Sequence, residues 1–145
     1  MQKITPFLWY NGHVEEAVAL YTSIFPNSRV LNASPMSATV EIEGQQLILF
    51  NGGPHYELSP AASLYVNCET QAEVDRLWAR LVDGGAESRC GWLVDRFGLS
   101  WQIIPSILPK LLQDPDRAKA KRAIDAMLTM GKIDIAALER AAAGA

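Results

Sequence analysis

The chain repeats one plan of secondary structure, and this repeat constrains its fold more than any other feature. A strand-like aromatic segment, residues 4–10, is followed by a helix pattern whose apolar residues have the spacing of one buried face. Short strand segments come next, around residues 29–32, 39–43 and 47–50. The second half has the same order, from a strand at 63–68 through a helix pattern to strand segments near 89–93 and 99–104. The sequence therefore predicts two modules of one plan, without visible residue identity between them.

Local signals mark the ends of the elements. Thr70 and Glu73 form a capping box at the start of the second helix, and Gly84 with Gly85 predicts its end. Residues 95–98 have the composition of a hairpin turn between the last two strand segments. Large apolar side chains on buried faces form the core, and three tryptophans are assigned to it: Trp9, Trp78 and Trp101.

The strand pattern ends at Pro105, and helical segments follow it. Residues 106–112 form a short helix, and Asp114 with Pro115 predicts the N-cap and first turn of a longer one. Asp134 caps a last segment, and residues 141–145 are expected to fray. We therefore predict a domain over residues 1–105, with modules at about 1–57 and 58–105, and a helical extension of the same domain at 106–145.

Composition excludes several classes of function. The 145 residues include 13 Lys and Arg against 16 Asp and Glu, and this net charge of −3 comes without the basic stripe of a nucleic-acid-binding protein. No apolar segment approaches the length of a membrane span, and no signal peptide is recognisable. Two cysteines, Cys68 and Cys90, are expected to be reduced core thiols rather than a disulfide. These features predict a cytoplasmic protein without nucleic-acid or membrane partners.

Several segments resemble one family along most of the chain. They are residues 51–55 (NGGPH), 66–70 (VNCET), 89–93 (RCGWL), 95–103 (DRFGLSWQI) and 132–138 (KIDIAAL). In this order they resemble the PhnB-like proteins, which are often labelled demethylubiquinone 3-methyltransferase domains. The resemblance implies the α+β fold of the glyoxalase, bleomycin-resistance and dioxygenase superfamily: two βαβββ modules forming a cupped mixed sheet around a cavity, often in a homodimer. The segment at 33–38 is shorter than in relatives, where a longer glycine-containing segment is common, which puts any lid there in doubt.

The resemblance also allows a test for a metal site. Metal-binding members place His, Glu or Gln on strand positions that face the cavity. The superfamily register assigns Pro6, Ser63 and Gln102 to such positions, and of these only Gln102 has a suitable donor. His13, at a helix start, is expected to be a solvated or capping residue, and His55 lies in a loop. We therefore predict no metal site and no cofactor.

Alternation of side chains identifies the residues that face the predicted cavity. In the second module Leu64, Val66 and Cys68 are predicted to lie under the helix, which leaves the intervening side chains in the cavity. His55, on the loop at the rim, and Trp92, near the second hairpin, are added because of their positions. The candidate ligand-binding residues are Glu41, Asn51, His55, Ser63, Tyr65, Asn67, Trp92, Ser100 and Gln102.

The leading hypothesis is metal-independent binding of an unknown small molecule in this cavity, with no catalytic residue assigned. Two alternatives remain open: an enzyme, either a methyltransferase or a metal-dependent lyase or dioxygenase, and a dimerisation module with a vestigial cavity. The glycine pairs at 52–53 and 84–85 do not match the nucleotide-binding fingerprint of common methyltransferases. Cys68 and Cys90 are assigned structural roles rather than that of a nucleophile.

Overall fold

A computed structural model describes residues 2–145; Met1, the first residue of the predicted first module, lies outside the described residues. The chain divides into two compact units, one up to Ser59 and the other from Pro60 to Ala145. No helix within residues 2–145 has the length and apolar character needed to cross a membrane.

The first unit is a βαβββ module with a four-stranded mixed sheet. Its strands are ordered β1-β4-β3-β2; β1 is parallel to β4, and the other neighbours are antiparallel. Strands β3 and β4 are joined by a tight turn in which Glu43 and Gly44 both have positive φ, the conformation of a type I′ hairpin. The elements are β1 (Phe7–Tyr10), α1 (Val14–Ile24), β2 (Ser28–Ala33), β3 (Ser37–Ile42) and β4 (Gln45–Asn51).

Helix α1 covers one face of this sheet. Tyr10 and Tyr21 are both fully buried, and their hydroxyl oxygens are 3.2 Å apart between strand and helix. Leu47 and Leu49 on β4, together with Val40 on β3, are buried on the same side by the strand register. Alternate residues therefore point away from α1, which gives this sheet a second face without a helix.

The β2–β3 hairpin is compact, at the segment where relatives were expected to have a longer insertion. The Ser34 hydroxyl oxygen accepts hydrogen bonds from the amides of Met36 and Ser37, each at 3.3 Å. The Ser34 amide in turn donates to the carbonyl of Ser37 at 2.8 Å. These bonds close the turn on itself, so the segment forms a short hairpin rather than a long loop.

The second unit repeats the module, with strands ordered β5-β8-β7-β6. Strand β5 coincides with the predicted segment at 63–68, whereas the short β6 was not predicted. Thr70 caps α2, accepting from the Glu73 amide at 3.2 Å. The carboxylate of Glu73 accepts from the amide of Glu69 at 2.8 Å, one residue earlier than a standard capping box requires. The elements are β5 (Ser63–Cys68), α2 (Gln71–Val82), β6 (Ala86–Glu87), β7 (Trp92–Val94) and β8 (Ser100–Pro105).

Three helices form the C-terminal extension: α3 (Ile107–Leu112), α4 (Arg117–Met127) and α5 (Ile135–Ala143). The predicted cap at Asp114 was wrong, because Asp116 accepts from the amides of Ala118 and Lys119 and begins α4. Of residues 141–145, which were expected to fray, the first three lie within α5. Arg122 donates to the carbonyl of Ala142 at 2.7 Å and holds the end of α5.

The extension packs on the end of the second module. Ile104, at the end of β8, is buried in a cluster with side chains from all three helices, including Leu108, Ala123 and Leu138. The corner before β7 is bonded to the extension as well, since the Cys90 amide donates to the Met130 carbonyl at 2.8 Å. The extension is thus part of the second unit.

Candidate functional site

The second sheet has one face under α2, and no helix covers the other face except at Ile104, which packs against the extension. Trp78 of α2 donates its indole N–H to Glu87 on β6 at 3.1 Å, which marks the covered side. By the register, Leu93 and Trp101 lie beside Glu87 on that side. The remaining strand residues form the opposite side, which we call the second open face: Ser63, Tyr65, Asn67, Ala86, Trp92, Val94, Ser100, Gln102 and Ile104.

Six of the predicted ligand-binding residues share this second open face. Tyr65, Gln102 and Trp92 lie side by side on three neighbouring strands, because Gln102 pairs with both of the others. Ser63 and Ser100 form the next row, and Asn67 lies farther along β5. The face predicted from alternation is therefore the one in the structure, and ligand binding itself stays a prediction.

A hydrogen bond joins the two residues of this face that the superfamily register assigns to metal-binding positions. The side-chain amide of Gln102 donates to the Ser63 hydroxyl oxygen at 3.0 Å. Both side chains are half-buried. Neither is ionised at any ordinary pH, so the pair is neutral.

Ser100, opposite Ser63 in the register, adds a buried hydroxyl to this corner of the sheet. Its side-chain oxygen is buried and makes no hydrogen bond with any described residue. A buried polar group without a partner costs about 1–3 kcal/mol. The corner thus contains three neutral polar groups, one of them unsatisfied.

No side chain of the second open face carries a charge at neutral pH. Tyr65 is its one titratable residue, and partial burial raises the pKa of its phenol above the usual value. Glu87, the acidic residue of β6, lies on the α2 side. An ion placed on this face would lose water without gaining a counter-charge from it.

The corresponding face of the first unit, which we call the first open face, carries an aromatic cluster. Trp9 lies 5.1 Å from Phe50 and 5.0 Å from Tyr56 between ring centroids, both in edge-to-face geometry. Phe7 lies 5.3 Å from Phe50, and His55 lies 6.0 Å from Tyr56. Trp9 is therefore half-buried on this face, and its assignment to the core was wrong.

The candidate residues predicted from the sequence did not include Phe7, Phe50 or Tyr56. For the first strand a signal existed, because Phe7 and Trp9 alternate with Leu8 and Tyr10 and must share a face. For Tyr56 there was no such signal, because this residue lies in an irregular loop where no periodicity places its ring.

Glu41 also lies on the first open face, but its charge is already paired. Its carboxylate is 3.2 Å from the guanidinium of Arg29 on the neighbouring strand. The two residues are directly opposite in the register, the arrangement in which cross-strand ion pairs form. A ligand at Glu41 would therefore meet a neutral pair rather than a free carboxylate.

Asn51 lies on the side of the sheet that faces α1, so the face predicted for it was wrong. It pairs with Tyr10, whose side chain packs against α1. Its side-chain oxygen accepts from the amide of Val14 at 3.2 Å, and its amide donates to the carbonyl of Pro35 at 3.0 Å. Asn51 thus satisfies the first turn of α1, a role that an N-cap side chain usually has.

A shallow cavity of about 350 Å³ lies at this end of α1, lined by His13, Val14, Glu15, Glu16, Ala19 and Asn51. His13 has a left-handed backbone and makes no cap bond; its ring nitrogen is 3.0 Å from the Glu16 carboxylate. Two acidic side chains already occupy the helix end that would attract an anion. The cavity has the composition of a solvated helix start, as expected for His13.

The donors at the superfamily metal positions do not fit a divalent ion. Pro6 has no side-chain donor, and the Ser63 oxygen already accepts from Gln102. Within residues 2–145, no three His, Cys, Asp or Glu side chains are grouped closely enough to share an ion. Divalent ions of the first transition row require several nitrogen, oxygen or thiolate ligands at one point.

The two cysteines differ in environment. Cys68 is fully buried on the α2 side of β5, and burial together with the nearby Glu73 raises the pKa of its thiol to about 12. Cys90 is half-buried in a left-handed backbone conformation. Both are free thiols. A thiol that stays protonated far above neutral pH is a poor nucleophile, which supports the structural role assigned to Cys68.

A protein-family model matches most of the chain. Residues 2–104 match the family described as 3-demethylubiquinone-9 3-methyltransferase. No curated protein matches the chain significantly. The extension lies outside the matched residues, so the resemblance inferred for residues 132–138 has no support from this family.

Solved structures agree with the family match. The PhnB protein of Bacillus cereus is 32% identical, with a TM-score of 0.68, and the match covers 72% of this chain and all of that one. A glyoxalase-related enzyme from Fulvimarina pelagi is 16% identical over 74% of this chain and 91% of its own, with a TM-score of 0.54. A fosfomycin resistance protein of Listeria monocytogenes, in complex with Mn(II) and sulfate, is 13% identical over 70% and 88%, with a TM-score of 0.51. The last two show the α+β fold that the resemblance implied.

Proposed function

Because the chain belongs to the 3-demethylubiquinone-9 3-methyltransferase family of PhnB-like proteins, we propose that it binds a small molecule directly, without a metal ion, on the second open face. The observation that carries the proposal is the hydrogen bond between Ser63 and Gln102. The superfamily register assigns both positions to metal ligands, but in this chain they hold neutral side chains that bond to each other.

The surroundings of this pair support direct binding. Tyr65 is 48% exposed, and Trp92 is half-buried, so aromatic surface lies on both sides of Gln102. A site with apolar surface and a few polar groups that fix orientation is the usual form of a small-molecule site. The unsatisfied hydroxyl of Ser100 adds a further polar group at the same corner.

The test has two measurements on protein purified without chelators. Elemental analysis is expected to find no stoichiometric transition metal, and native mass spectrometry is expected to find a co-purified compound. The variant Gln102→Leu should lose that compound, whereas Gln113→Ala, which changes an exposed residue of the extension, should retain it. A stoichiometric metal held by residues of the second open face, or a compound retained equally by Gln102→Leu, would contradict the proposal.

The family description makes methyl transfer the second candidate function. The two glycine pairs do not support it: Gly52 packs under Trp9, and Gly84 follows the end of α2 with a positive φ, as helix-ending glycines do. A thermal-shift measurement with S-adenosylmethionine tests this candidate, since a ligand that binds only the folded protein raises its melting temperature. A clear shift would favour the enzyme over the binding protein.

We also propose that the protein is cytoplasmic and homodimeric, as the sequence and the resemblance led us to expect. Light scattering coupled to size-exclusion chromatography tests the dimer, with a mass near twice that of the chain as the expected result.

A further inference from the structure

Two polar atoms next to each other on the second open face have unused hydrogen-bonding capacity. The Gln102 side-chain nitrogen donates to Ser63, and no described residue bonds to the Gln102 side-chain oxygen. The Ser63 hydroxyl oxygen accepts that bond, and its own proton has no acceptor among the described residues. The pair therefore offers the Gln102 oxygen as an acceptor, and the Ser63 O–H and the second Gln102 N–H as donors beside it.

A ligand that uses both atoms must present a donor and an acceptor on one edge. An N–H next to a C=O, as in a carboxamide or a lactam, meets this requirement with two hydrogen bonds. A carboxylate has acceptors alone: it can accept from the free O–H and N–H groups, but it leaves the Gln102 oxygen without a donor. Each unmatched buried polar atom costs about 1–3 kcal/mol, enough to decide between such ligands.

The lack of charged side chains on the second open face also favours an uncharged ligand. Its strand residues carry no charge at neutral pH, and the nearest acidic residue of β6, Glu87, is bonded to Trp78 on the other side of the sheet. A charged ligand would have to give up hydration without compensation from these strands. An uncharged ligand has no such cost.

The neighbours of Gln102 indicate the shape of the ligand. Tyr65 and Trp92 lie in register with it on the two adjacent strands, so rings lie on both sides of the amide. Neighbouring strands are about 4.8 Å apart, which gives a span of roughly 10 Å between the two ring positions. A flat ring bearing the amide group matches this span and gains aromatic contact on either side.

We infer that the second open face takes an uncharged, flat ligand with a carboxamide or lactam edge, held by Ser63 and Gln102. This inference rests on the function proposed above and adds the chemical class of the ligand. Such a ligand would be held by hydrogen bonds to neutral side chains, whereas a metal site would hold an anionic ligand by chelation.

Three probes of matched size test the inference: benzamide, benzoate and N,N-dimethylbenzamide. Each is titrated into the full chain and followed by NMR at the side-chain amide of Gln102 and the indole N–H of Trp92. Benzamide is expected to shift both signals. Benzoate and dimethylbenzamide should bind at least about fivefold more weakly, because each loses one hydrogen bond worth about 1 kcal/mol.

The variant Gln102→Leu should remove the preference for benzamide, and Gln113→Ala should keep it. Heteronuclear spectra of both variants check that the fold is intact. Equal affinity for all three probes, a preference for benzoate, or no shift at this face from any probe would overturn the inference. The proposed function is judged separately, by the metal content and the co-purified compound, so the two can fail independently.

Discussion

The buried carboxylate of Asp95 accepts a hydrogen bond from the indole N–H of Trp101 at 2.9 Å. Its other oxygen accepts from the amides of Phe97 and Leu99 at 2.8 and 3.1 Å. One side chain therefore closes the β7–β8 turn and fixes a large core residue of the second sheet. Trp101 lies next to Gln102 in sequence, so this contact also holds the strand that carries the candidate site.

Replacing Asp95 by alanine should lower the free energy of unfolding by about 2–4 kcal/mol, since it leaves three donors without an acceptor. Asp95→Asn is the matched control. Asp95→Asn keeps an oxygen that can accept from the two backbone amides, so its free energy of unfolding should fall less than that of Asp95→Ala. Urea unfolding of both variants measures the difference, and equal stability of Asp95→Ala and the parent chain would contradict the prediction.

The close contact between Gly52 and Trp9 leads to a second prediction. A Cβ at Gly52 would lie 2.1 Å from the indole ring, so Gly52→Ala must displace the tryptophan. We expect a lower melting temperature and a changed near-ultraviolet circular dichroism spectrum. The double variant with Trp9→Ala should be less destabilised than the sum of the single variants, because the clash is gone. Additive effects would show that the two residues do not conflict.

Gln71 ties the extension to the start of α2. Its side chain donates to the carbonyl of Ile133 at 3.0 Å and accepts from the amide of Ile135 at 2.8 Å. Gln71→Ala should cost about 1–3 kcal/mol of unfolding free energy and increase hydrogen exchange at the Ile135 amide. The control Gln113→Ala should change stability by less than about 0.5 kcal/mol. Unchanged exchange at Ile135 in Gln71→Ala would rule out this role.

The raised pKa of Cys68 predicts how stability depends on pH. The folded chain keeps the thiol proton up to a pKa of about 12, whereas the unfolded chain loses it near the ordinary pKa of 9.0. The contribution of the buried, protonated Cys68 thiol to the free energy of unfolding is fully present below about pH 9. It is lost as the pH rises towards 12, by at most about 1.4 kcal/mol per pH unit. Unfolding between about pH 9 and 10.5 should show this decline in the parent and in Cys90→Ala, and a smaller one in Cys68→Ala. The same decline of unfolding free energy with pH in the parent chain and both variants would contradict the prediction.

Alternation and helical spacing predicted β5 and α2 of the second module well, because each of these elements has one face that is more buried than the other, whereas the exposed β6 gave no such signal. The strand at Ser63–Cys68 begins and ends where its alternation does, and the open face follows from the same period. Alternation placed Gln102 and Tyr65 on the same face, whereas their pairing across β5 and β8 is known only from the register of the structure. The hydrogen bond from Gln102 to Ser63 could not be predicted, because it depends on side-chain rotamers.

The wrong predictions concern residues whose local sequence signal is compatible with more than one structure. Asp114 and Asp116 both have capping side chains, and Asp114 instead accepts from the Asp116 amide at 2.9 Å, which closes the turn before the helix. Asn51 ends a strand, and a count from its buried neighbours would have placed it on the α1 side. Trp9 was assigned to the core together with Trp78 and Trp101, although its alternation with Tyr10 requires the opposite face.

The second sheet has one side packed under α2 and another on which Ser63, Tyr65 and Gln102 remain partly exposed, and this separation bears on how the surface of such a module can change. Substitutions among Ser63, Tyr65 and Gln102 change the open face and leave the side chains beneath the helix in place. The polar groups of that face could therefore be redesigned in a few steps while Leu93 and Trp101 keep the sheet packed against α2.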